Sequence, residues 1–292
     1  MFPTIPGLHH VTSIASDPRR NDAFFTDKLG LRRVKKTVNF DAPDVYHLYF
    51  GDQAGSPGTI WTSFPFPDAR AGTVGNGTTV RTSFAVAKDA LDYWEAVLGG
   101  RRDSTFGVSR LVFEGPDGEG LALAAEADGD GPEIRSLHSV TLSLADTGPE
   151  AEILSLMGWE EVAEEGGERL FSAPGEARGK SVILAGRPDA PRAREGAGSV
   201  HHVAFRVADD AGQEAARQAL SDAGYGVTEV RDRQYFRSIY FRTPGGVLFE
   251  IATDGPGFDA DEPAETMGQA LKLPGQHEHM RDRLEDELVP LD

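Results

Sequence analysis

The segment Gly7-Leu8-His9-His10-Val11-Thr12 comes back late in the chain as Ser199-Val200-His201-His202-Val203-Ala204, and in weaker form as Leu137-His138-Ser139-Val140-Thr141. A chain that repeats a unit must bury one copy against another, so the repeat decides the architecture before any single residue does. Each copy reads as the first strand of a module. A helical stretch follows, with apolar residues three and four apart, as in Ala23-Phe24-Phe25 through Leu29 and in Ala215-Ala216 through Leu220, and a glycine closes it. Alternating runs then form hairpins: Val45 to Phe50 with Gly58 to Trp61, and Ile239 to Phe241 with Val247 to Ile251. A further copy fits Thr79 to Phe84, a helix with apolar Leu91, Tyr93, Trp94, Val97 and Leu98, and the runs Leu111 to Phe113 and Leu121 to Leu123. The fold class is α+β, built of four βαβββ modules.

The Gly-rich stretch Ala127 to Pro132 separates the first two modules from the last two. It divides the chain into an N-terminal domain at residues 1–130, a C-terminal domain at 134–262 and a charged tail at 263–292, with a helix expected through Met280 to Leu288. The sequence has no cysteine, which excludes disulfides, thiolate metal sites and a cysteine nucleophile; any metal must use histidine and carboxylate. With 29 Lys and Arg against 47 Asp and Glu the net charge is -18, which speaks against nucleic acid and anionic membranes as partners. No apolar run reaches the roughly 18 residues of a membrane span, and the N-terminus lacks the pattern of a signal peptide, so a cytoplasmic location is expected.

Strand alternation separates neighbouring side chains. It places His202, Ala204 and Arg206 on the less apolar face and sends His201 to the other, with Val203, Phe205 and Val207. His10 and Thr12 correspond to the first set. In the last strand Val247, Phe249 and Ile251 are packed, which leaves Glu250 pointing where His202 points. The turns Pro57-Gly58, Pro116-Asp117-Gly118 and Pro244-Gly245-Gly246 serve as a ruler: six residues after each proline stand Ser63, Ala122 and Glu250. The first-strand slot holds His10, His202 and, in the third module, Ser139; the second module offers Ser83 or a neighbour. The metal set is therefore His10, His202 and Glu250, with Ser63 too weak a ligand to close it. Two histidines and one carboxylate with open positions are the ligand logic of non-haem Fe(II) and dioxygen chemistry.

These residues resemble the vicinal oxygen chelate superfamily, and within it the hydroquinone-type ring-cleaving dioxygenases. Beyond the His-His strands, the resemblance rests on Tyr46-His47-Leu48-Tyr49-Phe50, Gly55, Pro57-Gly58-Thr59, Tyr235-Phe236 through Tyr240, Arg242 to Gly246, Phe249-Glu250, Met267-Gly268 and Leu271 to Pro274. It implies two open, cupped β-barrels of paired modules, Fe(II) on His10, His202 and Glu250 with Mn or Zn as substitutes, and a small aromatic substrate with O2. The positions that surround the ligands in such enzymes are here His9, Thr12, His201, Arg233 and Tyr240. Two other functions use the same fold: a glyoxalase-like isomerase or lyase, and a non-enzymatic aromatic-binding protein. A fourth protein ligand would favour the former, and Ser63 speaks against it; the intact ligand set speaks against the latter. His47 reads as a structural histidine or a pocket wall. The oligomeric state is left open between monomer and homo-oligomer.

Overall fold

In a computed structural model, the structure describes residues 2–175 and 178–291. Met1 and Asp292, the outer limits of the divisions drawn from sequence, and Glu176 and Ala177 lie outside the described residues. Four βαβββ modules follow one another. The first holds β1 (Leu8–Ala15), a short helix α1 (Pro18–Ala23) that continues as a π turn (Phe24–Lys28), β2 (Arg32–Asn39), β3 (Ala42–Gly51) and β4 (Ile60–Pro65). The second holds β5 (Thr78–Ala87), α2 (Leu91–Leu98), β6 (Arg101–Thr105), β7 (Val108–Glu114) and β8 (Gly120–Ala127). The third holds β9 (Ser136–Leu144), α3 (Gly148–Leu156), β10 (Glu160–Glu165), β11 (Glu168–Ser172) and β12 (Ser181–Gly186). The fourth holds β13 (Val200–Val207), α4 (Asp210–Asp222), β14 (Arg231–Asp232), β15 (Phe236–Arg242) and β16 (Leu248–Pro256). The tail ends in α5 (Arg281–Glu287), close to the helix expected there.

The modules pair out of sequence order. One eight-stranded sheet runs β14-β15-β16-β13-β1-β4-β3-β2 and the other β10-β11-β12-β9-β5-β8-β7-β6, so the first module shares a sheet with the fourth and the second with the third. Both sheets are curled into open, cupped half-barrels. Each is joined at its centre by antiparallel first strands, β1 with β13 and β5 with β9. Within a module the first and last strands are parallel neighbours, as the helix crossover between them requires.

Helices cover one face of each sheet and bury its apolar side chains. Phe25 of the π turn stacks on Phe50 and Trp61, Trp61 meets Phe84 of the second module, and Trp159 meets Phe205 of the fourth, which makes one continuous core. In α2 only Leu91 and Trp94 are buried; Tyr93 and Val97, expected to pack, face solvent because the helix is eight residues long and rests on one stripe. The tail lies along β2. Gly268 fits there because a Cβ would strike the Arg33 carbonyl, and Lys272 N donates to Lys36 O.

Candidate metal centre

The central seam of the first sheet contains two β-bulges. Leu8 pairs with Phe205 and His10 with Ala204, so His9 is an extra residue in β1; Thr12 pairs with His202 and Ser13 with Val200, so His201 is an extra residue in β13. A bulge breaks strict alternation and re-aims a side chain. The expectation that His201 turns to the helix-packed face is thereby corrected: its Nδ1 lies 2.7 Å from His202 Nδ1, and its ring lines the same cavity as His202. His9 repeats this on the other strand, with its Nδ1 2.9 Å from His10 Nδ1.

With their Nδ1 atoms held, His10 and His202 turn their Nε2 atoms towards each other, 3.2 Å apart. Glu250 on β16 completes the group, its Oε2 2.9 Å from His202 Nε2 and 3.4 Å from His10 Nε2. All three side chains are buried. These separations are those of adjacent ligands on a cation with bonds of about 2.0–2.2 Å. Glu250 Oε1 accepts a hydrogen bond from Ser238 Oγ, whereas Oε2 takes no well-directed hydrogen bond from any described residue. A buried carboxylate oxygen left over in this way, facing two imidazole nitrogens, fits a divalent cation. Burial pushes the Glu250 carboxyl up, but His10 and His202 outweigh it and hold it well below the usual range, so it is ionised. Burial holds His202, His9 and His47 below the usual imidazole range, and His201 falls to about 4 for the same reason. Neutral rings offer the lone pairs that metal binding needs.

The register corrects the proline ruler. Ala204, two residues past His202, pairs with Glu250, and Thr12, two residues past His10, pairs with Thr62. Thr62, not Ser63, is therefore the counterpart of Glu250; Ser63 faces the helix side and donates to Asn21 Oδ1. The Thr62 hydroxyl donates to Thr12 Oγ1 at 3.0 Å, and Thr12 Oγ1 sits 2.8 Å from His202 Nε2. Behind Thr62 lies His47, with Nε2 2.7 Å from Thr62 Oγ1 and Nδ1 2.9 Å from the Tyr49 hydroxyl. In the second module the first-strand slot is Arg81 rather than Ser83, because the bulge residue there is Val80 and Ser83 pairs with Ala122.

Tyr240 is the cross-strand neighbour of Glu250, and Arg233 Nε donates to its hydroxyl at 3.1 Å while another Arg233 nitrogen reaches Asp41. Burial, together with Glu250, raises the Tyr240 pKa, so the phenol keeps its proton. Sequence reasoning misses Ser238, although it lies two residues from Tyr240 on the same face of β15, and alternation from Tyr240 could have found it. Phe236, named by that reasoning only among the residues of the resemblance, packs its ring 5.0 Å from His9 and 5.2 Å from His10. The open side of the triad faces a cavity of about 190 Å³ walled by Phe40, His47, Phe64, Phe66 and Tyr240. An apolar cavity of about 150 Å³ is enough for benzene.

Comparison with known proteins agrees with this architecture. The family model of the glyoxalase/bleomycin resistance protein/dioxygenase superfamily matches residues 85–251. A Bacillus subtilis protein provisionally named ring-cleaving dioxygenase MhqO is 41% identical, over 98% of this chain and 96% of its own. A chlorohydroquinone/hydroquinone 1,2-dioxygenase of Sphingobium indicum is 34% identical, over 96% and 95%. A Bacillus subtilis crystal structure provisionally described as a dioxygenase superposes with a TM-score of 0.95 at 39% identity, covering 99% of this chain and 98% of that one. Glyoxalase I from Zea mays, at 14% identity and a TM-score of 0.65, covering 85% and 92%, shares the fold alone.

Proposed function

The chain belongs to the glyoxalase/bleomycin resistance protein/dioxygenase superfamily, and from that premise we propose that it is a ring-cleaving dioxygenase acting on a hydroquinone- or catechol-type ring. The observation that carries this reading is a buried His10, His202 and Glu250 set whose open side faces a cavity of single-ring size. In this reading Fe(II) is the metal, and when bound it acidifies a ring hydroxyl and passes electron density from the ring to O2.

The surrounding side chains have distinct tasks. Ser238 holds one oxygen of Glu250 so that the other points to the cation. His9 and His201 accept at Nδ1, which fixes the protons of His10 and His202 on their own Nδ1 atoms and leaves both Nε2 atoms unprotonated. His201, neutral and in the cavity wall, then carries its own proton on Nε2 and can donate it as a hydrogen bond to an oxygen of the ring. Arg233 donates to the Tyr240 oxygen, so the Tyr240 O–H is left to donate to an oxygen of the ligand. Thr62 places a hydroxyl where symmetry with the fourth module would place a second carboxylate, which keeps coordination positions open; this favours oxygenase over isomerase chemistry.

The test is O2 consumption by protein reconstituted anaerobically with Fe(II), against a panel of hydroquinones and catechols. Stoichiometric O2 uptake with loss of the aromatic absorbance is expected. No uptake with any ring, combined with hemithioacetal isomerisation by the Ni- or Zn-loaded protein, would overturn the reading.

A further inference from the structure

The second sheet puts a different group at the place that corresponds to His10. Arg81 stands there on β5, between the bulge at Val80 and the Ser83–Ala122 pair. Its side chain is only 28% exposed, and its nearest carboxylate oxygen, Asp103 Oδ2, is 3.8 Å away, beyond hydrogen-bond reach. Arg81 Nε is buried and has no hydrogen-bond partner among the described residues. Asp103 is already engaged: Arg110 grips both of its oxygens at 2.9 and 3.2 Å, and Arg101 reaches one at 3.3 Å. A buried N–H left without an acceptor carries a desolvation cost and asks for a ligand, an ion or a water on that side of the guanidinium.

The space in front of Arg81 is a cavity of about 570 Å³ in the concave side of the second sheet. Arg187 brings a further guanidinium to its wall, while Val80, Val112 and Phe113 supply apolar surface. Glu114 and Glu168 also line it, which penalises a doubly charged anion. In a chain of net charge -18, a cleft with four arginines against three carboxylates is a local reversal of sign. We propose that this cleft binds an organic monocarboxylate, its carboxylate seated on the fork of Arg81 and its apolar body against Val80 and Val112. A planar carboxylate matches the paired donors of a guanidinium. This site is separate from the triad and requires neither metal nor turnover.

The experiment is calorimetric titration of the full-length protein with benzoate, benzyl alcohol and inorganic sulfate, repeated on Arg81→Gln and accompanied by melting curves. Benzoate should bind to the parent, and Arg81→Gln should weaken it at least about tenfold, the loss expected for charge-assisted hydrogen bonds. Benzyl alcohol, similar in shape but uncharged, and sulfate, charged but without an apolar body, should both bind more weakly than benzoate. Without ligand, Arg81→Gln should melt no lower than the parent, because it removes a buried Nε–H without an acceptor and only a long ion pair to Asp103. The proposal is overturned by absence of benzoate binding, by equal affinity in parent and variant, which would place benzoate in the first cavity, or by sulfate binding as tightly as benzoate. A lower melting temperature of unliganded Arg81→Gln would also overturn it, since Arg81 would then be a structural cation.

Discussion

Glu250 is held from two sides, by the Ser238 hydroxyl on one oxygen and by the imidazole nitrogens near the other, so the two contacts can be separated by mutation. Ser238→Ala removes only the outer support. Metal affinity, measured by competition with a chromogenic chelator, should fall about 10- to 100-fold, the usual loss for an orienting partner, and an unchanged affinity would deny Ser238 that role. Tyr240→Phe tests a group in the cavity wall that is proposed to act on the ligand rather than the cation. Turnover should drop about 10- to 1000-fold with iron content unchanged, and parent-like O2 consumption would return Tyr240 to a packing role. The histidine pairs and Glu250 are legible in the sequence because repetition exposes equivalent slots. Thr62 is not, since a threonine in a strand carries no mark until register shows which face it occupies, and Ser238 is reachable only by alternation from Tyr240. Counting from Pro57 fails by one residue: a count along the chain includes turn residues that the β1–β4 register does not.

At the level of elements, the bulges explain why alternation misplaces His201: one unpaired residue shifts every later side chain to the other face, and sequence alone does not announce a bulge. The turn at Gly115 to Gly120 is legible, but its docking is not. Asp117 there accepts from Ser16 and Arg20 of the first module, and Glu119 is buried, its carboxyl pushed up to about 7 by burial, with Asp117 adding to the rise. Because the folded state favours protonated Glu119, its stability is greatest below the unfolded value near 4.5 and is lost as pH rises through 7. Glu119→Gln should therefore stabilise the protein by about 2–3 kcal/mol at pH 8 and by nothing near pH 4.5; urea denaturation at the two pH values checks this, and an equal effect at both would refute it. The tail is pinned by Lys35, fully buried on β2, with its ammonium on Asp261 and Glu262 and 4.6 Å from the Tyr235 ring centre. Lys35→Ala leaves Glu262 buried beside no cation and should cost about 3 kcal/mol in urea unfolding, the range for breaking a buried ion pair. A cost under about 1 kcal/mol would mean that packing of Met267 and Phe258, not charge, secures the tail.

Across the whole molecule, the order of the strands makes the candidate metal centre a joint between distant parts of the chain. His10 belongs to the first module, while His202 and Glu250 belong to the fourth. We propose that the stretch near residues 127–133 divides the chain into pieces that can be made separately but hold no complete centre. Cutting there severs both central seams, β1 from β13 and β5 from β9, and leaves each piece with two exposed strand edges. A piece comprising residues 1–130 retains one of the three candidate donors, and a piece comprising 134–292 retains two, so neither offers all three to one cation. Mixing the pieces should restore the seams, because the freed edges are antiparallel partners, β1 of β13 and β5 of β9, and should yield one metal ion per pair. The measurement is metal content after dialysis for each piece and for the mixture, beside their circular dichroism. Binding by residues 134–292 alone, as tight as by the intact chain, would show that His10 is not a ligand. Association of the pieces without metal retention would show that the seams reform while the donors do not converge, and that the centre depends on the uncut connection.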